Sequence, residues 1–269
     1  MAKSDRLRLA DVRAAFRLLG ECRELGNDAL AWRRHMLEGL RQLTGAQVAL
    51  YLHLEDVSSS DGKIGAALDS GFLDDSGKAL WAHYQRENAH RDDPFHLRYF
   101  RAFSGALTTR SLEAVVDMAE WRRSRHYNEY VRACRLEDRI TSAVNLAGAA
   151  PVTQVIVLHR SAADGPYSRR AERLVRLFHE DLVPLLGRPL TLPGTGDAEL
   201  TSLPGRLQDV LRHLLAGESE KLVAAHLGLS LHTVNRHVQR LYRRLGVHSR
   251  SELMLRCRDL LPHVERRRE

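Results

Sequence analysis

"GLSLHTVNRHVQRLYRRLGVHSRSEL", residues 228–253, decides how the end of this chain folds. Val234, Val238, Leu241 and Leu245 are spaced 4, 3 and 4, the interval that lines side chains along one helical stripe. Ser230 sits before that run as an N-cap, with Thr233 in the first turn. Upstream, Ser219 caps a shorter helix that presents Leu222, Val223 and Leu227 and stops at Gly228. Gly228, Leu229 and Ser230 then form a three-residue turn between two helices, a helix-turn-helix layout. Another helix, roughly Arg206 to Leu215, precedes them with Val210, Leu211, Leu214 and Leu215 inward and Gly217 at its end.

The side chains off the stripe are polar and cationic. His232, Asn235, Arg236 and Gln239 share the outer side of the helix's first half, where a recognition helix meets base edges in the major groove. Arg, Gln and Asn carry the paired donors and acceptors that match guanine and adenine. Arg240, Arg243 and Arg244 lie further along and suit phosphates. The bland alternative is a solvated helix face.

Charge sets this end apart from the rest. From Leu200 onward 13 Lys/Arg face 7 Asp/Glu, a net of +6 out of the chain's +7. A small, strongly basic unit is an electrostatic footprint for nucleic acid. With 269 residues and 43% hydrophobic content, two domains are the natural division. "LLGRPLTLPGTGDAELTSLPGR", residues 185–206, concentrates proline, glycine and small polar residues and reads as the seam. The expected plan is a domain at 1–190, a linker at 191–202 and the basic domain at 203–269.

"SEKLVAAHLGLSLHTVNRHVQRLYRRLGVHSRSEL" resembles the DNA-binding domain of the LuxR/NarL (GerE-type) family of bacterial transcription regulators, from about Leu203 to Cys257. "LAG", the turn, the "RLYRRLGV" spine and "SRSEL" fall in family order. The resemblance implies a four-helix unit whose turn is Gly228 and Ser230. It implies a groove-facing start at His232, Thr233, Asn235 and Arg236, phosphate roles for Arg240 and Arg243, and a buried anchor at Val234. Past Gly246 and Val247 a fourth helix, starting near Ser249 to Ser251, would supply the dimer contact on DNA. Two positions depart from the family. Leu207 stands where glutamate is usual, and Asn235 where lysine is common.

The first domain reads as mixed. Helical spacing runs through "RLRLADVRAAFRLLGECRELG", "DALAWRRHMLEGLRQLTG", "SGKALWAHYQRENA" and "SRRAERLVRLFHEDLVPLLG", the last with Leu174, Leu177, Phe178, Leu182 and Leu185 on one stripe. "AQVALYLHL" (46–54), Ile140 to Leu146 and "TQVIVLHR" (153–160) read as strands, the last of them central. The expectation is α+β: an antiparallel sheet with flanking helices, similar to a GAF/PAS-like sensor, followed by the all-α unit. A phosphoacceptor receiver is disfavoured, because no acidic pair near the start precedes a strand ending in Asp.

"EWRRSRHYNEYVRACRLEDRI", residues 120–140, weakly resembles the Trp, Tyr and Asp signature of autoinducer-binding domains. Trp121, Tyr127, Tyr130 and Asp138 are the candidate ligand contacts, rings for apolar area and an acid for orientation. The competing reading closes the core with those rings. His90, Asp92, Asp93 and His96 have a spacing that could seat a divalent ion, but Asp92 and Asp93 before Pro94 are also turn residues; no metal and no cofactor is expected. "DGKIG" (61–65) reads as a tight loop and lacks the phosphate-cradle spacing. Without a nucleophile elbow, no catalytic residue is assigned. Cys22, Cys134 and Cys257 read as reduced thiols.

No apolar run approaches a membrane span and the N-terminus lacks a signal-peptide core, so the expected setting is cytoplasmic. Taken together, the expected protein is a transcription regulator that binds double-stranded DNA as a homodimer, with a small-molecule effector or dimerisation role in the first domain. An interaction protein binding an acidic partner, and an enzyme-like first domain tethered to DNA, are the alternatives.

Overall fold

The computed structural model describes residues 5–26, 28–57, 62–146, 152–185 and 203–257. The linker expected at 191–202 lies outside them. The first unit runs α1 (Leu9–Glu24), α2 (Ala31–Thr44), β1 (Val48–Glu55), β2 (Lys63–Ser70), α3 (Asp75–Arg86), α4 (Pro94–Arg101), β3 (Thr108–Ser111), α5 (Met118–Arg123), β4 (Leu136–Leu146), β5 (Val152–Ser161) and α6 (Arg169–Leu182). The strands form one sheet in the order β2-β1-β5-β4-β3, and every neighbouring pair is antiparallel. The run at 153–160 is central, as its apolar composition implies. "DGKIG" is a correction: Lys63 to Gly65 already belong to β2, paired with β1.

Period-two alternation assigns the strand side chains to two covered faces. Leu50 opposite Val157 and Leu52 opposite Val155 point to one layer, while Ala49 opposite Leu158 and Tyr51 opposite Ile156 point to the other. Leu18, Met36, Leu37, Leu40, Leu174 and Phe178 from α1, α2 and α6 cover the second layer. Trp81, Phe95, Phe100 and Trp121 from α3, α4 and α5 cover the first. Helices on both faces bury both sides of the central strands, which is why β1 and β5 are nearly continuous in apolar residues.

Polar groups on the α6 side are tied across strands. Thr109 and Ser142 hydroxyls lie 2.7 Å apart, Ser142 Oγ is 2.7 Å from His179 Nδ1, and His179 Nε2 meets Gln154 Oε1. A serine beside an imidazole can be a nucleophile pair, but Ser142 and His179 are both fully buried. The chain joins β3, β4, β5 and α6 rather than facing a substrate.

The second unit contains α7 (Gly205–Leu215), α8 (Glu220–Leu227), α9 (Leu231–Leu245) and α10 (Arg250–Cys257). Leu207, Val210, Leu211, Leu214 and Leu215 of α7 are buried, with Val223 and Ala224 of α8. Leu222 is a correction: it is 50% exposed, because Val223 and Ala224 turn the short helix's inner face away from it. Leu207 is 2% exposed, so an apolar contact stands where the family's glutamate would make a polar one.

α10 lies against the first unit beside β2. Arg34 pairs with Glu252 at 3.1 Å, Arg256 with Asp28 at 3.6 Å, and Ser251 Oγ donates to Gln85 Oε1 at 3.3 Å. Among the described residues no helix is long and apolar enough to cross a membrane. Cys22 and Cys257 are buried free thiols, and burial pushes each up to about 12, which leaves little thiolate for redox chemistry.

Candidate nucleic-acid interface and ligand cavity

The reading surface is built by capping and a short turn. Ser219 Oγ accepts from the Leu222 amide at 3.4 Å, and Gly228 closes α8 in the left-handed region at φ 63°. Ser230 then extends the backbone, and its Oγ accepts from the Thr233 amide at 3.1 Å. These devices fix where α9 begins. Its Val234, Val238, Leu241 and Leu245 are all buried, so rotation about the helix axis is fixed too.

What remains outside is the predicted set. His232, Asn235, Arg236, Gln239, Arg240, Arg243 and Arg244 are exposed, and Thr233 is half-buried with its hydroxyl 2.8 Å from Ser230 Oγ. Asn235 Nδ2 donates to Glu220 Oε2 at 3.3 Å, so α8 already holds that amide. His232, Arg236, Gln239 and Arg240 follow the helical intervals 4, 3 and 1 along one side, and Arg243 continues it. A rigid helix with a dry spine and a cationic outer side can enter a groove about 12 Å wide.

This geometry defines a helix-turn-helix unit. The family model GerE, described as bacterial regulatory proteins, luxR family, matches residues 201–257, the span of this C-terminal unit. Over 62 residues the chain is 40% identical to YhjB of Escherichia coli (strain K12), named as an HTH-type transcriptional regulator. That match spans 23% of this chain and 31% of the relative. Among solved structures, the chain is similar to SdiA of Escherichia coli at 19% identity over 86% of this chain and 98% of that one, with a TM-score of 0.35. It is also similar to SdiA in complex with octanoyl-rac-glycerol (17%, 93% and 92%, 0.37) and to the VqsR LBD domain from Pseudomonas aeruginosa (19%, 64% and 90%, 0.44).

A second feature sits in the first unit, between the sheet and α3, α4 and the 127–131 turn. A cavity of about 100 Å³ opens there, walled by β1 and β5 aliphatics, Trp81, Tyr84, Phe95 and Tyr130. Its polar end gathers Asp93, Arg139, His90, His96, His126 and His159. Arg139 and His159 are register partners on β4 and β5, so the pleat aims both at the cavity. Asp93 Oδ2 accepts from Arg139 Nη2 at 2.8 Å, and His126 Nε2 lies 3.6 Å from the same oxygen. The guanidinium also stacks 3.7 Å over Phe95.

Burial opposes the Asp93 charge, but the Arg139 guanidinium outweighs it and holds the carboxyl well below the usual range. Burial drives His96 and His159 the other way from protonation, each to about 3. The cluster is thus one ion pair among neutral imidazoles. Arg139 Nε, His90 Nδ1 and His159 Nδ1 are buried with no hydrogen-bond partner. Orphaned polar atoms of this kind each cost roughly 1–3 kcal/mol unless water, an ion or a ligand satisfies them.

Of the four candidate ligand residues, the cavity wall takes only Tyr130. Trp121 is 1% exposed and packs behind His126, with ring centroids 5.4 Å apart. Tyr127 OH donates to Glu137 Oε2 at 2.5 Å. Asp138 accepts from the backbone N–H of Tyr167 at 2.6 Å and of Arg139 at 2.8 Å. Those three side chains serve the core and backbone beside the cavity. Asp93, as N-cap of α4 accepting from the Phe95 amide at 2.9 Å, is both the turn residue expected and the acid of the pocket. Asp92 is exposed and apart from it. Trp81, Tyr84, Arg139 and His159 were missed by sequence reading; the available signal was a cation and an imidazole at inward positions of apolar strands.

Proposed function

We propose that this chain is a sequence-selective regulator that binds duplex DNA as a homodimer, inserting α9 in the major groove. The carrying observation is the exposed row His232, Arg236, Gln239, Arg240 and Arg243 on a helix whose rotation is fixed by its buried spine. Arg236, nearer the N-terminus, would read guanine, and Arg243 would hold phosphate. Selection of the full chain on a randomised DNA pool tests this. Arg236→Ala should change the preferred sequence as well as weaken binding, by about 1–3 kcal/mol at the position read. Arg243→Ala should weaken all sites similarly and reduce the salt slope by about one contact. Salt-insensitive binding, or an unaltered preference in the Arg236 variant, defeats the assignment.

The first unit is proposed to hold a compact organic effector in its cavity. The supporting observation is an aromatic enclosure whose lining includes Arg139, with its Nε a buried donor lacking a partner. A dry cavity of about 150 Å³ accommodates benzene, so this one, at about 100 Å³, suits an occupant no larger than a single small ring or short branched chain carrying a hydrogen-bond acceptor. Differential affinity is the criterion for an effector. Small aromatic ketones and amides, screened by tryptophan fluorescence, should include binders that Trp81→Ala loses and that alter DNA affinity. Binding without any change in DNA affinity or pairing would make the cavity a bystander.

A further inference from the structure

Outside both sites, three potential metal ligands converge at the junction of α7 and α8. His213 lies in the last turn of α7, Glu218 directly precedes the Ser219 cap, and His226 lies in the last turn of α8. His213 Nδ1 is 3.0 Å and His226 Nδ1 is 2.9 Å from the same oxygen, Glu218 Oε2. The two imidazole rings are 5.4 Å apart and tilted by 41°. Among the described residues this is the group of three whose ligand atoms all fall within 4.8 Å of one another.

We propose that His213, Glu218 and His226 bind a zinc ion. Two imidazole nitrogens and one carboxylate oxygen are a zinc donor set, and water would complete the tetrahedron. The same contacts are now hydrogen bonds, in which both rings point a nitrogen at one carboxylate oxygen. Zinc takes the Nδ1 lone pair of each neutral ring once that ring's single N–H proton has moved from Nδ1 to Nε2, which lies away from Glu218. Ligands and metal keep their oxidation states, and neutral rings that shift their proton in this way release none to solvent. The half-buried His213 and Glu218 and the exposed His226 leave a route for the ion.

The placement gives the ion a structural consequence. α7 supplies five buried side chains to the unit's core, and α8 carries the turn into α9. A metal joining their distal ends would fix the angle between them and so restrain the base on which α9 stands. Its effect would be greatest on the unfolding of this unit, since a ligand that binds only the folded form raises stability by mass action.

Calorimetric titration of zinc alone into the chelator-treated full chain tests the site, with the unfolding midpoint followed in parallel. One equivalent should bind and raise the midpoint. His226→Ala and Glu218→Gln should each weaken it at least tenfold while circular dichroism stays unchanged. His35→Ala is the control, because His35 and Glu21 form a histidine–carboxylate pair that lacks a third ligand (2.7 Å); its titration should match the parent. Absence of a one-equivalent site in the parent overturns the proposal. So does retention of that site, within threefold, in either His226→Ala or Glu218→Gln.

Discussion

Two regions that hold polar groups without a protein partner among the described residues, the outer side of α9 and the cavity, differ in what water can do for those groups. On α9, Arg236, Arg240 and Arg243 stand in solvent, where hydration satisfies them. Beside the cavity, Arg139 Nε and His159 Nδ1 are buried, where an unmade hydrogen bond costs free energy in the folded state. The first arrangement is neutral for folding and useful for binding. The second is tolerated at a stability cost, which is why it directs attention to a ligand. Substitutions in the two regions should therefore separate: stability should respond at the cavity and DNA affinity at the helix.

Asp93 provides the largest test. Asp93→Ala removes the carboxylate that faces Arg139 across 2.8 Å and also the α4 cap. Leaving a buried cation unpaired typically costs about 3–5 kcal/mol, to be read from urea unfolding of the first unit. Adding Arg139→Met to that variant should recover part of the loss, because the stranded charge goes with it. An equal loss in the double variant would mean that capping and packing, rather than the ion pair, set the cost. The pH dependence of Asp93 has a definite sign. Its folded carboxyl is held below the ordinary value of 3.8, so its contribution is complete above that value and disappears as pH falls through the lowered one.

The buried imidazoles make a second, broader test. His96, His159 and His179 are each lowered by burial from 6.5 to about 3. Between those values the unfolded chain takes up protons that the folded chain refuses, so stability falls as pH falls from about 6.5 toward 3 and is fully present above that window. Each group contributes at most about 1.4 kcal/mol per pH unit. Unfolding midpoints at pH 7, 6, 5 and 4.5 should decline, and His179→Gln should make the decline shallower. A flat profile would mean these rings gain protons in the folded state, by opening of the cavity or of the α6 layer.

The difference between the regions also explains what could be read from the chain. Val234, Val238, Leu241 and Leu245 with Ser230 and Gly228 are local signals: spacing, cap and turn lie within eighteen residues, and the structure keeps each. Asp93, Arg139 and His159 are brought together by strand pairing and by a helix cap, from positions 46 and 20 residues apart along the chain. No local pattern joins them. Trp121 was conspicuous in sequence because it is large and near tyrosines, yet it packs behind the cavity wall. β2 and β3 escaped for a related reason: Lys63–Ser70 and Thr108–Ser111 are short or mixed in polarity, and only pairing to β1 and β4 makes them strands. Leu222 shows the local limit, since on a helix of two turns the apolar residues alone do not fix which side faces in.

The smallest effect expected on folding comes from Asn235, where the family favours lysine. Asn235→Lys adds a cation to an exposed position, so stability should change by no more than about 0.5 kcal/mol. DNA binding should respond instead: one more neutralised phosphate steepens the logarithmic salt slope by about 0.9. Glu220 complicates the substitution, because its Oε2 already receives the Asn235 amide at 3.3 Å and could hold the new ammonium in an ion pair. Glu220→Gln alongside Asn235→Lys removes that competitor. If the single variant leaves the slope unchanged and the double variant steepens it, Glu220 screens this corner of the reading helix. If neither variant alters the slope, position 235 lies off the phosphate path, and the contact surface is confined to the side bearing Arg236, Arg240 and Arg243.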